Sequence, residues 1–279
     1  MTTKESSFSR LVNRMKTLLR TIISISVIMV LVPCLGFSAG VSLSVAPIRV
    51  EHLVQQGEKG TDMILVANDG TTFTRVKVSI EDWTLTRDGN PMFMKTGKNP
   101  YSCADWIRIN PIDFRIAAGQ TKEVRYTVTV PQGIEDGGYR AAIIFETAPD
   151  VTPGEKIKQM LIKGRIAAIL YEVVGKPVPQ GYAKSLRTEA KKDGIDFILL
   201  LQNTGKVHYR TKGTITVTDS KGEKAFEVEI PDAPVLPGAE REIRVPYDKP
   251  VPKGNYSALA VVDIGTKELI GAEATFAVE

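Results

Sequence analysis

The sequence predicts an all-β protein made of two tandem β-sandwich modules behind a removable leader, and three observations carry that reading. One is a two-residue period: Val124, Tyr126, Val128 and Val130 share one face of an extended stretch, with Glu123, Arg125, Thr127 and Thr129 on the other. That alternation is the mark of a strand with one buried and one wet face. The second is repetition. Asn68, Gly70 and Arg75 are answered by Asn203, Gly205 and Arg210 at the same internal spacings; Gly119, Lys122, Glu123, Val124 and Arg125 by Gly238, Arg241, Glu242, Ile243 and Arg244; and Val130-Pro131, Gly133 and Tyr139 by Val251-Pro252, Gly254 and Tyr256. Landmarks in the same order, offset by about one sandwich length, mean that one module occurs twice. The third is that no amphipathic helix longer than two turns is readable after residue 40.

Residues 1–39 read as a signal peptide. Lys4, Arg10, Arg14, Lys16 and Arg20 precede an uncharged run over 21–37, which meets the small residues Ser38, Ala39 and Gly40; basic, apolar and small regions in that order are those of a cleaved export signal. The alternative is a retained membrane anchor, because seventeen uncharged residues lie at the short edge of what spans a bilayer. Cleavage changes the charge. The whole chain has 36 basic and 32 acidic side chains, and residues 1–39 hold five and one of these, leaving 31 of each. A neutral mature chain has no surplus of cations with which to neutralise a nucleic acid, so no nucleic-acid partner is expected. Cys34 leaves with the signal and Cys103 remains alone, so no disulfide can form within the mature chain. The modules must stand on their hydrophobic cores, which about 120 residues each can supply, and Cys103 reads as a buried small hydrophobe.

The first module is expected over residues 40–175. Its first strand runs through Val41, Leu43 and Val45 and continues past Pro47 to Ile48, Arg49 and Val50; a proline inside a strand implies an edge position or a switch between sheets. Strands follow over 63–67 and 73–83, with Asn68-Asp69-Gly70 turning the chain between them and Asp88-Gly89-Asn90 as a hairpin signal. Residues 91–104, with Pro91, Gly97, Asn99 and Pro100, read as a long loop. Two strands come next, around Val124 and from Tyr139, with Tyr139, Ala141, Ile143 and Phe145 on one side. A last strand over 157–174 is apolar on both parities, so something must cover both of its faces: either it lies centrally, or its outer edge or face receives another protein.

Residues 176–181 hold two prolines with one residue between them and read as a short stiff linker. The second module, 182–279, predicts strands over 183–190, 195–202, 211–218, 226–230, 240–245, 256–263 and 272–278. Tyr139 and Tyr256 each open a late strand after a glycine-bearing turn, where a sandwich ties its corner to backbone through a tyrosine hydroxyl.

Chemistry is not readable. The two histidines, His52 and His208, lie in different modules, and neither has a second His or a Cys at ligand spacing. No nucleophile elbow, phosphate loop or zinc-protease motif occurs. The chain reads as no enzyme, with no cofactor, no metal and no small-molecule substrate.

Several segments resemble the PapD-like periplasmic chaperones of pilus assembly, whose fold is two immunoglobulin-like sandwiches after a signal peptide. Pro111, Phe114-Arg115-Ile116, Gly119-Gln120 and Val124-Arg125 are similar to that family's proline, apolar-Arg-Leu, Pro-Gly and Val-Arg block, Ile48-Arg49-Val50 to its first-strand Thr-Arg-Val, and Val262-Asp263-Ile264-Gly265 to its Asn-Asp-Tyr-Gly turn. The resemblance implies a periplasmic protein that binds pilin-like or other secreted envelope subunits by strand addition, with an outer-membrane usher as a further partner. Arg49 matches the family's first-strand arginine, which anchors a subunit carboxylate. Ala168 stands where the family has its anchoring lysine, with Lys163 or Arg165 as substitutes, and Glu172 stands where an arginine usually follows. The expected partner-binding set is Arg49, Met160, Ile162, Lys163, Arg165 and Ile166, and both Arg49→Ala and Ile166→Asp are expected to abolish capture. Gly137, Tyr139, Arg140 and Ala141 also resemble a pattern of cell-surface proteins of the WxL-interacting type, which implies the alternative of a non-catalytic envelope or surface scaffold.

Overall fold

The computed structural model describes residues 42–148 and 164–279; the predicted leader and the candidates Met160, Ile162 and Lys163 lie outside the described residues. The first module consists of β1 (Leu43–Ala46), β2 (Arg49–Val54), β3 (Lys59–Asn68), β4 (Thr74–Leu85), β5 (Pro91–Met94), a 3-10 turn (Ala104–Trp106), β6 (Ile107–Asn110), β7 (Asp113–Ile116), β8 (Thr121–Thr129), β9 (Gly137–Ala148) and β10 (Arg165–Val174). One sheet runs β1-β3-β8-β6 and the other β2-β10-β9-β4-β5, with β7 also on β4. Pro47, preceded by a cis peptide bond, is where the chain changes sheets: β1 pairs antiparallel with β3, and β2 pairs parallel with β10. The proline thus marks both a switch and an edge, as a residue with no N–H to give a ladder should.

Between the sheets Ile64, Val66, Val76, Val124, Tyr126, Ala141, Ile143, Phe145 and Leu170 form the core, with Cys103 wholly buried among them. Burial raises the Cys103 thiol well above its ordinary value, which keeps it an inert hydrophobe. The 91–104 stretch is not all loop. The turn at Gly89, whose φ of 92° suits glycine, delivers Pro91 into the first position of β5, where a strand tolerates a missing N–H. Asp82, wholly buried in β4, then accepts the backbone N–H groups of Lys98 and Asn99 and the Ser102 hydroxyl, pinning the rest of the stretch.

The second module consists of β11 (Gly181–Lys191), β12 (Gly194–Asn203), β13 (Tyr209–Arg210), β14 (Lys212–Asp219), β15 (Lys224–Ile230), β16 (Pro234–Val235), β17 (Glu240–Tyr247), β18 (Gly254–Asp263) and β19 (Ile270–Val278). Sheets β11-β12-β17 and β15-β14-β18-β19 enclose Phe197, Leu199, Leu201, Ile215, Val217, Ala258 and Val262, and the two-residue strands β13 and β16 pair separately.

The sequence repeat is a repeat of hydrogen bonds. Asn68 and Asn203 are both wholly buried. Asn68 Nδ2 donates to the carbonyls of Thr72 at 2.7 Å and Ile116 at 3.0 Å, and its Oδ1 accepts from Gly70 N–H. Asn203 donates to those of Val207 at 2.9 Å and Val235 at 2.8 Å and accepts from Gly205 N–H. Arg75 meets Asp113 as Arg210 meets Asp232. The Tyr139 hydroxyl donates to the Glu135 carbonyl and that of Tyr256 to the Pro252 carbonyl, each four residues back, which makes both tyrosines corner ties.

Candidate functional site

Both faces of β10 are covered, by different things. Ile166, Ala168, Leu170 and Val174 turn into the core of the first sandwich. Ala167, Ile169 and Tyr171 turn outward and join Trp83, Ala142 and Ile144 in a second apolar cluster, which Leu236 and Ala239 of the second module close. Tyr171 is the hinge of this contact: its ring meets Trp83 edge-on at 5.5 Å and stacks on His208 at 4.1 Å, and burial pushes its hydroxyl up to about 12. Around the cluster Gly138 N–H donates to the Lys206 carbonyl at 2.7 Å, Glu242 N–H donates to the Arg87 carbonyl at 2.7 Å, and Lys206 Nζ meets Glu135 at 2.7 Å. A Cβ at Gly138 would lie 3.2 Å from the Val207 Cα, so any larger residue there would have to push the second module back by a few tenths of an ångström.

Arg49 opens β2 opposite Ile169 and is exposed. It works on both modules. The Glu51 carboxyl is held below its usual range first by its hydrogen bond with His208, then by the charges of His208, Arg49 and Arg210. That of Asp232, in the second module, is lowered first by its hydrogen bond with Arg210, then by the charges of Arg210 and Arg49. The Arg49 charge therefore acts on a carboxylate of each sandwich.

Arg165 is elsewhere. It opens β10 four residues before the position opposite Arg49, roughly 13 Å away at strand rise, where it pairs with Glu81 and lies over the Phe93 ring. The structure does not bring these two cations together. Ile166 is half-buried and packs on the main core, so Ile166→Asp would report folding rather than capture. The edge of β10 away from β9 is taken by β2 only from Ile169 onward. Among the described residues no strand pairs with that edge over residues 165–168.

Sequence reasoning missed two buried charges. Arg140 is 4% exposed; its Nε donates to the Trp83 carbonyl at 3.1 Å, it lies between the Trp83 and Tyr101 rings, and burial lowers it to about 10. The other is Glu172, wholly buried on the inner face of β10 and hydrogen-bonded to His52 Nδ1 at 3.0 Å. Burial raises its carboxyl above the ordinary glutamate value, partly opposed by His52. The folded chain thus binds this proton more tightly than the unfolded chain, and stability falls as pH rises from the ordinary value through the raised one. Glu172→Gln removes that cost and keeps an oxygen for His52. In melts across the pH range it should gain on the order of 1 kcal/mol over the unmodified chain at pH 8, the gain shrinking as pH falls toward the ordinary glutamate range. A lower melting temperature at pH 8 would mean that the carboxylate is net favourable.

Among solved structures the chain is similar to the class 5 fimbriae chaperone CfaA, at 13% identity and a TM-score of 0.46 over 85% of this chain and 100% of that one. It is similar also to a chain of the chaperone–tip adhesin complex of CFA/I fimbriae (15%, 0.47, 84% and 98%) and to one of the CsuC–CsuE chaperone–tip adhesion subunit pre-assembly complex from the archaic Csu pili of Acinetobacter baumannii (16%, 0.44, 83% and 98%). The likeness is one of fold. No protein-family model matches the chain, and no curated protein matches it.

Proposed function

We propose that the chain is a non-catalytic, chaperone-like protein of the periplasm that holds a secreted pilin-like or other envelope subunit by adding a strand to it. The observation that carries the reading is the half-covered edge of β10. β2 seals it from Ile169 to Val174, and the stretch before that leaves backbone donors and acceptors free of strand partners among the described residues, beside the exposed Arg49. Strand addition satisfies such an edge, and a guanidinium takes a terminal carboxylate through two parallel hydrogen bonds. The residues matched to the pilus-assembly chaperones support the same reading. With Ala168 in place of a lysine and Arg165 committed to Glu81, Arg49 is the anchor among the described residues.

The test is capture of the subunit that co-purifies from the native periplasm. Arg49→Ala should weaken capture by about 2 kcal/mol, roughly thirtyfold in Kd, and leave the melting temperature nearly unchanged, because the side chain is exposed. Unweakened capture would remove the carboxylate anchor and leave the scaffold reading as the better account.

A further inference from the structure

On its open side the first sandwich has a pocket that subunit capture does not use. β2 is the outermost strand of its sheet, and β3 is paired by β1 only from Leu65 to Asn68, so the first half of β3 faces β2 across a gap between the sheets. The pocket there measures about 450 Å³, within the size range of small-ligand sites. Val54, Val128 and Val130 supply apolar wall; Glu172, Tyr126 and Asp62 line it as well.

Glu172 is the unusual member. Its side chain is 0% exposed, and one oxygen, Oε1, is bonded to His52. The other, Oε2, has no hydrogen-bond partner within the protein. Beside it the buried Tyr126 hydroxyl comes close to the Asp62 carboxylate without a well-formed hydrogen bond. A buried carboxylate oxygen without a donor costs a fold stability, so its place on a pocket wall calls for a donor from outside. A metal ion does not fit: among the described residues no three His, Cys, Asp or Glu side chains are grouped to hold one, and hard cations take six or more oxygens. An ammonium does fit. It has three donors to distribute, and Glu172 Oε2, the Tyr126 oxygen and Asp62 are three acceptors. The valines suit an alkyl stem.

We propose that this pocket binds a small aliphatic primary amine, with its ammonium on Glu172 Oε2 and its stem against Val54, Val128 and Val130. His52, Glu58 and Asp62 also face Glu172 from the pocket wall; a bound cation favours the ionised carboxyl, so affinity should fall as pH drops through the raised value of Glu172. The reading is independent of subunit capture, since it needs neither Arg49 nor the β10 edge.

Titration calorimetry of the full chain with n-pentylamine near neutral pH should give saturable binding, and pentan-1-ol, with the same stem and no charge, should give none. Glu172→Gln should weaken the amine about tenfold, the loss of one charge-assisted hydrogen bond. Asp62→Asn, at a half-exposed site, should weaken it severalfold and serves where the first variant fails to fold. Absence of saturable binding to the unmodified chain, equal binding of pentan-1-ol, or undiminished affinity in a folded variant would each overturn the assignment.

Discussion

Asn68→Ala is expected to cost the first sandwich about 3 to 5 kcal/mol. The side chain donates two hydrogen bonds and accepts one while wholly buried, so alanine leaves the Ile116 and Thr72 carbonyls and the Gly70 N–H to find other partners. Each buried polar group left unsatisfied costs about 1 to 3 kcal/mol, and a domain's whole reserve is about 5 to 15 kcal/mol. Asn203→Ala should do the same to the second sandwich, since it holds Val207, Val235 and Gly205 in the same way. Arg75→Ala is the control. Its pair with Asp113 is more than a third exposed on both sides, and such pairs contribute about 1 kcal/mol or less. Urea unfolding followed by circular dichroism compares them, and an Asn68→Ala midpoint no lower than that of Arg75→Ala would mean that the buried asparagine is not what fixes the turn.

These asparagines also explain why so much of the fold could be read in advance. Asn-x-Gly and the corner tyrosine are legible because each closes a hydrogen bond within its own turn, from Gly70 or Gly205 N–H to the asparagine Oδ1 and from the tyrosine hydroxyl to a carbonyl four residues back. Pro47 was legible for the same reason: a missing N–H restricts where a strand can lie whatever surrounds it. β5 was not, because four residues beginning at Pro91 have too little pattern to set against the turn residues around them. The site was harder still. Alternation told that both faces of β10 are covered, but not that the covers are a core on one side and a second module on the other. Nor could it tell that Ile166 takes the inner face, or that Arg165 goes to Glu81. Glu172 is polar at a core parity, and His52, its partner, lies 120 residues away in sequence; pairing across that distance is set by the parallel register of β2 on β10, which no local signal encodes.

Leu236→Asp is expected to undock the two modules while leaving both cores folded. Leu236 is 2% exposed, and it closes a cluster whose other members, Trp83, Ala142, Ile144 and Tyr171, belong to the first module. It is no part of either main core. A carboxylate there would lose its hydration against apolar surface, a cost of several kcal/mol. The polar contacts around the rim, such as Lys206 with Glu135, are mostly exposed and too weak to offset it. Trp83 reports the event, because its ring is 2% exposed in the docked state. In a Trp106→Phe background its emission should shift to longer wavelength in Leu236→Asp while the β-type circular dichroism spectrum is retained. The consequence for capture is specific. The charge of Arg49 acts on Glu51 of the first module and on Asp232 of the second, so its electrostatic setting depends on both modules being present. Undocking should therefore weaken subunit capture although no residue of the anchor has changed. If Trp83 emission shifts and capture stays at full strength, the first sandwich alone holds the subunit, and the second has another use.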